Sequence, residues 1–284
     1  MPDRWQTGLK RAVKPLVPDY IVVARNFYRA HGRLPNIATP VTFNDHIARR
    51  ILKDRRPILT KFADKVTAHR YVQQFLGKRV LPIVYGITPL PETIPFDLLP
   101  KRFVVKPSHA SGWVRIVRDK SELDRDELIA ECRRWLSLNY YDMNREWAYK
   151  HIKPRIIVED FIDDGTGNVP LDYRFFTFRG IVRMIQVDSG RFVDHRRCLY
   201  SPGWEPLEVR SEYSPALTPM PPPPHLLEMT HAAQVLGHGI DFVRVDFYDT
   251  PERVIFGELT TSPDCGLARF HPVSFDTELG RWWR

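Results

Sequence analysis

The sequence predicts an α+β protein built on antiparallel sheets. Strand-like and helix-like segments follow one another without a regular βαβ alternation, so a parallel sheet with crossover helices is not expected. Two pairs of β-branched and aromatic runs are joined by short polar breaks, at Arg179-Gly180 and at Thr250-Pro251-Glu252-Arg253, which read as β-hairpins. With 284 residues, 43% hydrophobic and 27% charged, the chain has the composition of an ordered globular protein with one large core or two to three packed smaller ones.

Taken in order, helices are predicted at 18–31, 43–53 and 58–76, the second with Thr42 as its N-cap and Asp45 in its first turn. A Pro-punctuated link runs from Pro82 to Pro100. A strand, "RFVVKP", a small-residue loop, "SHASGW", and a second strand, "VRIV", lead into a helix from Ser121 to about Leu138. "RIIVEDFI" at 155–162 is a strand running into a polar Asp-Asp-Gly-Thr-Gly-Asn loop. "DYRFFTF" and "IVRMIQV" form a hairpin, and the Pro-rich "TPMPPPPH" enters a helix over 224–236. The last hairpin spans 243–259. There is no internal repeat.

The formal charge of +8 is compatible with nucleic acid, an anionic membrane surface or an anionic small substrate. No helix-turn-helix, zinc-finger or RNP pattern is present, so nucleic acid is not favoured. No apolar run reaches a bilayer-spanning length, and the N-terminus lacks the apolar core of a signal peptide. Cys132, Cys198 and Cys265 are an odd number at wide spacing and read as reduced cytosolic thiols, the last of them close to the acidic hairpin described next. Among the first 33 residues, Arg4, Lys10, Arg11, Lys14, Arg25, Arg29 and Arg33 are interleaved with apolar side chains. Such a segment suits either peripheral contact with anionic lipid or a helix packed on the body with its basic side in water.

The last hairpin sets Asp246 opposite Glu258, Arg244 opposite Thr260 and Tyr248 opposite Phe256, with Val245, Phe247, Ile255 and Leu259 on the other face. Like charges directly opposed repel, so something positive should lie between the acids. A hard divalent cation, Mg²⁺ first, sharing its shell with nucleotide phosphates is one answer; Arg244 or plain solvent is another. With only the metal between them, neutralising either acid should relieve repulsion and stabilise the metal-free chain. Upstream, Lys106 ends an apolar strand, where its ammonium can reach a phosphate, and Ser108, His109, Ala110, Ser111 and Gly112 are small or polar enough to close around one. An ordinary hairpin turn is the competing reading of that loop. Glu159–Ile162 is a strand end whose backbone could pair with a purine edge.

The segments "FNDHIARRILKDRRPILTKFADKVTAHRYV" (43–72), "FVVKPSHASGWVRIVRDK" (103–120), "WAYKHIKPRIIVEDFI" (147–162), "DYRFFTFRG" (172–180) and "VRVDFY…FGELTTSP" (243–263), in this order, resemble the ATP-grasp superfamily and its TupA-like, teichuronopeptide-biosynthesis branch. The resemblance implies an ATP-grasp fold, with two antiparallel α+β subdomains enclosing the nucleotide. It implies a mainly helical region over 1–80, a small subdomain with a phosphate lid over 81–158 and a large subdomain with a metal site over 159–284. Lys65 and Lys106 would contact ATP phosphates under a lid of Ser108, His109, Ser111 and Gly112. The backbone of Glu159, Asp160, Phe161 and Ile162 would be the adenine hinge, and Asp246, Glu258 and Thr260 would hold Mg²⁺. Thr260 stands where many relatives have asparagine, Ala110 where the lid often has glycine and Asp264 where glycine is common after the proline. Arg174 and Arg244 are candidates for stabilising the charge that develops in transfer, or for ordinary pairing with Asp172 and Asp246.

The activity implied is ATP- and Mg²⁺-dependent carboxylate–amine ligation through an acyl phosphate, on a uronic acid or other sugar of cell-surface polysaccharide. An anionic glycan or small molecule is the expected partner, in the cytoplasm or at the inner membrane face. A sugar phosphotransferase on the same scaffold and a metal-dependent glycosyltransferase are the alternatives.

Overall fold

The computed structural model describes residues 17–190, 194–216 and 218–283. Of the basic residues expected to meet a lipid surface, Arg4, Lys10, Arg11 and Lys14 lie outside the described residues. The elements are α1 (Asp19–His31), α2 (Phe43–Lys53), α3 (Pro57–Ala63), α4 (Lys65–Leu76), β1 (Val84–Thr88), β2 (Phe103–Pro107), β3 (Arg115–Val117), α5 (Arg125–Leu136), α6 (Tyr141–Asn144) and β4 (Ile156–Asp160). There follow β5 (Asp172–Phe178), β6 (Ile181–Ser189), β7 (Arg196–Tyr200), β8 (Arg210–Ser211), α7 (Leu226–Gly237), β9 (Val243–Asp249), β10 (Val254–Thr260), β11 (Phe270–His271) and α8 (Ser274–Trp282). Among the described residues, no helix is long and apolar enough to cross a membrane.

Side chains that satisfy the first free N–H groups decide where the helices begin. Thr42 accepts from the Asp45 amide at 3.1 Å while Asp45 accepts from the Thr42 amide at 3.3 Å, a reciprocal cap on α2. The single helix predicted over 58–76 is two. Asp64 accepts from the Val66 amide at 3.1 Å and starts a new helix, which makes Lys65 its first residue. Asp124 likewise caps α5 from the Glu127 amide at 2.9 Å, so the helix expected from Ser121 begins four residues later.

The smaller sheet has the order β1-β4-β2-β3, all antiparallel, with α5 packed on it through Leu128, Cys132 and Trp135 against Phe103, Val105 and Val158. Strand β1 lies within the Pro82–Pro100 stretch read as a link: its neighbouring prolines stand outside the ladder, leaving Val84–Thr88 free to pair with β4. β4 runs through 158 and 159, where the small and large subdomains were expected to divide, because it is held from both sides by β1 and β2.

The larger sheet is β10-β9-β5-β6-β7. One face, with Phe175, Val245, Phe247 and Phe256, packs on α4 and α7. The other face carries Phe176, Phe178 and Met184 at one end, covered by α2 and α8, and polar residues at the other end. The hairpin register holds at its tip-distal half: Asp246 pairs with Glu258 and Arg244 with Thr260. It departs at the turn side. A bulge at Gly257 pairs Phe256 with Phe247 and Ile255 with Tyr248, so Phe256 and Val254 join the core under α4 and α7 while Ile255 is buried outside that cluster. A Cβ on Gly257 would come within 3.1 Å of the Asp246 carbonyl oxygen, which is why the bulge falls on glycine.

Candidate active site

The polar end of the larger sheet is a dense charge network. Arg244 Nη2 donates to Asp246 Oδ2 at 2.6 Å, to Glu258 Oε1 at 2.9 Å and to Thr260 Oγ1 at 3.1 Å, and Thr260 donates to Glu258 at 2.9 Å. The positive group between the two acids is therefore Arg244. Burial pushes the Asp246 carboxyl up to about 6, helped by Glu258 and opposed by Arg244 and Arg174. Against the same effect of burial, Glu258 is drawn down to about 2 by Arg244, Lys65 and Arg174. Arg174 stands directly opposite Asp246 across β5 and β9. It meets Asp188 Oδ2 at 2.5 Å, with Asp246 and Asp172 farther off at 3.5 and 3.6 Å, so Asp188 replaces the expected Asp172 as its main partner. Asp188 also accepts from Arg197 at 2.8 Å and from Gln186 at 3.2 Å.

Across the cleft, β2 and β4 present a second group. Lys106 Nζ lies 2.6 Å from Glu159 Oε2, and His69 Nε2 lies 3.7 Å from Glu159 Oε1. Burial lowers His69 to about 4 and keeps the ring neutral at physiological pH. Lys65, placed at the start of α4 by the Asp64 cap, donates to the Ala110 carbonyl of the lid loop, and its own amide donates to the Ser108 carbonyl at 3.1 Å. Burial draws Lys65 down to about 8 against the pull of Glu258, with Lys106 close enough to lower it further. Lys65 and Glu258 thus share one narrow cleft with His69, Tyr149 and Gly257, and Lys106 lies close enough for its charge to act on Lys65.

The expected lid divides. Gly112 has φ +75°, a conformation that suits glycine, and Ser111 lies beside the Tyr140 hydroxyl. Ser108 is fully buried; its amide is used by the Arg155 carbonyl at 2.7 Å, and its hydroxyl has no hydrogen-bond partner. His109 is turned away from the cleft. Its Nε2 faces the Trp135 and Leu138 carbonyl oxygens at 3.1 and 3.2 Å, at and just past the last turn of α5. The expected hinge is also shorter. Glu159 sits between two strands and the Asp160 amide donates to the Ile83 carbonyl at 2.9 Å, so only Phe161 and Ile162 lie beyond the ladder. Asp160 is further held by the Tyr85 hydroxyl at 3.1 Å.

Among the described residues, no group of three or more His, Cys, Asp or Glu side chains could cage a metal. Two carboxylates with the Thr260 hydroxyl instead fit a hard cation that draws its remaining oxygens from phosphates. Two facing lysines and the orphaned, buried Ser108 hydroxyl fit the phosphates themselves. His69, Glu146, Asp188 and Arg197 were not among the residues singled out by sequence. An acid or base inside an apolar strand, as in "MIQVDS", was the one signal available for Asp188.

Two antiparallel sheets with facing lysines and paired acids between them define an ATP-grasp protein. The chain belongs to the TupA-like ATP-grasp family, whose sequence profile matches residues 45–283. No curated protein sequence matches it. Similar solved structures include the ATP-grasp ligase PsnB complexed with a minimal precursor, at 13% identity and TM-score 0.39 over 72% of this chain and 53% of that one. The D-alanine–D-alanine ligase of Bacillus anthracis complexed with ATP is 18% identical, TM-score 0.41, over 72% and 55%. The phosphoribosylamine–glycine ligase of Thermotoga maritima is 12% identical, TM-score 0.45, over 77% and 55%. The match covers little more than half of each of these proteins.

Proposed function

We propose that this chain is an ATP- and Mg²⁺-dependent carboxylate–amine ligase acting on a uronic acid or another sugar of cell-surface polysaccharide. The observation that carries the proposal is the approach of Lys65, with the charge of Lys106 close by, to Glu258 of the Asp246–Glu258 pair, with Arg244 already bonded to both acids. The net charge of +8 supports an anionic substrate.

Lys65 and Lys106 hold the phosphates, and the Ser111–Gly112 segment covers them. Asp246, Glu258 and Thr260 would hold Mg²⁺, which when bound neutralises charge on the phosphate oxygens. Arg244 and Arg174 orient the substrate carboxylate and stabilise the charge of the transfer. A carboxylate oxygen bonds to the γ-phosphorus as ADP leaves; the amine then attacks the acyl carbon, and phosphate departs with the C–O electron pair. Incubation with ATP, Mg²⁺, D-glucuronate or D-galacturonate and hydroxylamine should give a hydroxamate. A stable sugar phosphate in its place would establish a phosphotransferase and overturn the ligase reading.

We also place the protein at an anionic membrane surface. On α1, Ile21 and Tyr28 are exposed on the side that carries Arg25, which supports a peripheral contact. Flotation with phosphatidylglycerol vesicles, lost on Ile21→Ser with Tyr28→Ser, tests it; binding unchanged by the pair would refute it.

A further inference from the structure

Glu146 precedes a 3₁₀ turn at Trp147–Tyr149 and is 7% exposed. Among the described residues it forms no ion pair: its hydrogen bond comes from the Cys265 thiol, whose Sγ lies 3.2 Å from Oε1. The charges acting on it, Glu258 and Asp264, are both negative, and with burial they push it up to about 7. A buried acid without a cation is costly, and chains hold one where a ligand supplies the partner.

Its surroundings point the same way. Cys265 and Asp264 have φ of 57° and 48°, a left-handed conformation that non-glycine residues avoid. That turn follows directly on the "ELTTSP" end of β10 and brings the thiol onto Glu146, with the Asn144 side chain beside it. Tyr140 and Tyr149 pack against each other with ring centroids 4.6 Å apart. Tyr140 lies beside Ser111 of the expected lid, and Tyr149 lines the cleft with Lys65 and Glu258. Tyr149 therefore borders the cleft, with Tyr140 packed behind it and the Glu146 carboxyl close enough to feel Glu258 and to act on both rings.

We propose that Glu146, walled by Tyr140 and Tyr149, binds the ammonium group of the amine substrate and delivers it to the acyl phosphate. The class of ligand is a primary amine, held by charge and by the ring faces. The proposal rests on the ligase reading for its chemistry. The bound ammonium first gives one proton to the ionised Glu146 and becomes the neutral nucleophile; as its nitrogen forms the C–N bond, the second proton leaves with the departing phosphate, which takes the C–O electron pair.

The test compares nucleophiles that differ in charge. Wild type and Glu146→Gln are given ATP, Mg²⁺ and D-glucuronate or D-galacturonate, with hydroxylamine, which is neutral at assay pH, or with glycine, L-lysine or ethanolamine, which are cationic. Glu146→Gln should lower the ratio of amide to hydroxamate about 100-fold. Glu146→Asp, which keeps the charge on a shorter arm, should fall between. An unchanged ratio overturns the proposal. Absence of hydroxamate from wild type is the separate failure of the ligase reading. Amine binding is then read alone, as the melting shift that ethanolamine or L-lysine produces in the presence of ADP and Mg²⁺. A shift in wild type that Glu146→Gln abolishes supports the site; equal shifts, or none, refute it.

Discussion

Arg244 donates to Asp246 through two nitrogens, at 2.8 and 2.6 Å, and so supplies the counter-charge that the acidic hairpin needs before any metal arrives. This reverses the sign of one expectation. With the acids unpaired, neutralising either would stabilise the metal-free chain. With Arg244 buried between them, Asp246→Asn strips a buried guanidinium of its main partner and should cost about 3 kcal/mol of stability as well as turnover. Chemical denaturation without Mg²⁺ measures it, and a variant more stable than wild type would contradict the pairing.

The same hairpin depends on one missing Cβ. Gly257→Ala would press a methyl toward the Asp246 carbonyl at 3.1 Å, and the strand must shift to accept it. Overpacking of this kind costs about 1–3 kcal/mol. Since Glu258 is the next residue, ATP turnover should fall more than stability alone explains. Wild-type turnover in a folded Gly257→Ala protein would show that the bulge does not set the acid's position.

Lys65 should make nucleotide binding sensitive to alkaline pH. Its folded value of about 8 lies below the ordinary 10.5, because burial penalises the ammonium. The cost is fully present below about pH 8. Between about 8 and 10.5 the unfolded chain binds the extra proton, so this group's contribution makes folding stability rise with pH. Phosphate binding wants the charged form and should weaken over that window. Titrating ATP affinity in wild type and in Lys65→Arg tests this: arginine stays charged and should flatten the profile. Equal pH dependence in both would remove Lys65 from the phosphate site.

Much of this was legible in the chain. Alternating apolar and polar residues gave both hairpins, and Thr42 with Asp45 gave the start of α2. The facing of Asp246 and Glu258 followed from a two-residue period. What escaped depends on partners distant in sequence. Nothing local says that Asp188 will receive Arg174 and Arg197, or that Glu159 will turn its carboxylate to Lys106. The break at Asp64 was hidden because Pro57–Leu76 has helical character throughout, and a capping aspartate outweighs propensity at one position. β1 was hidden by prolines that lie beside the ladder.

His109 separates the roles of the loop's residues. Its ring is 2% exposed and answers two carbonyls at the end of α5, so it ties the base of the lid to the smaller domain core and does not face the cleft. His109→Ala removes the ring donor from the Leu138 carbonyl, while the Trp135 carbonyl keeps the Leu138 amide at 3.1 Å, and opens a cavity beside Trp135, at a cost of about 2 kcal/mol. Because the lost contacts lie away from the cleft, the affinity for ATP in the folded fraction should stay within about threefold of wild type. Lys106→Ala, which removes the partner of Glu159 and the proposed phosphate contact together, should weaken ATP binding far more at a similar loss of stability. Calorimetric titration with a non-hydrolysable ATP analogue on both variants decides between the two roles. A His109→Ala protein that folds normally but no longer holds the analogue would return the imidazole to the phosphates.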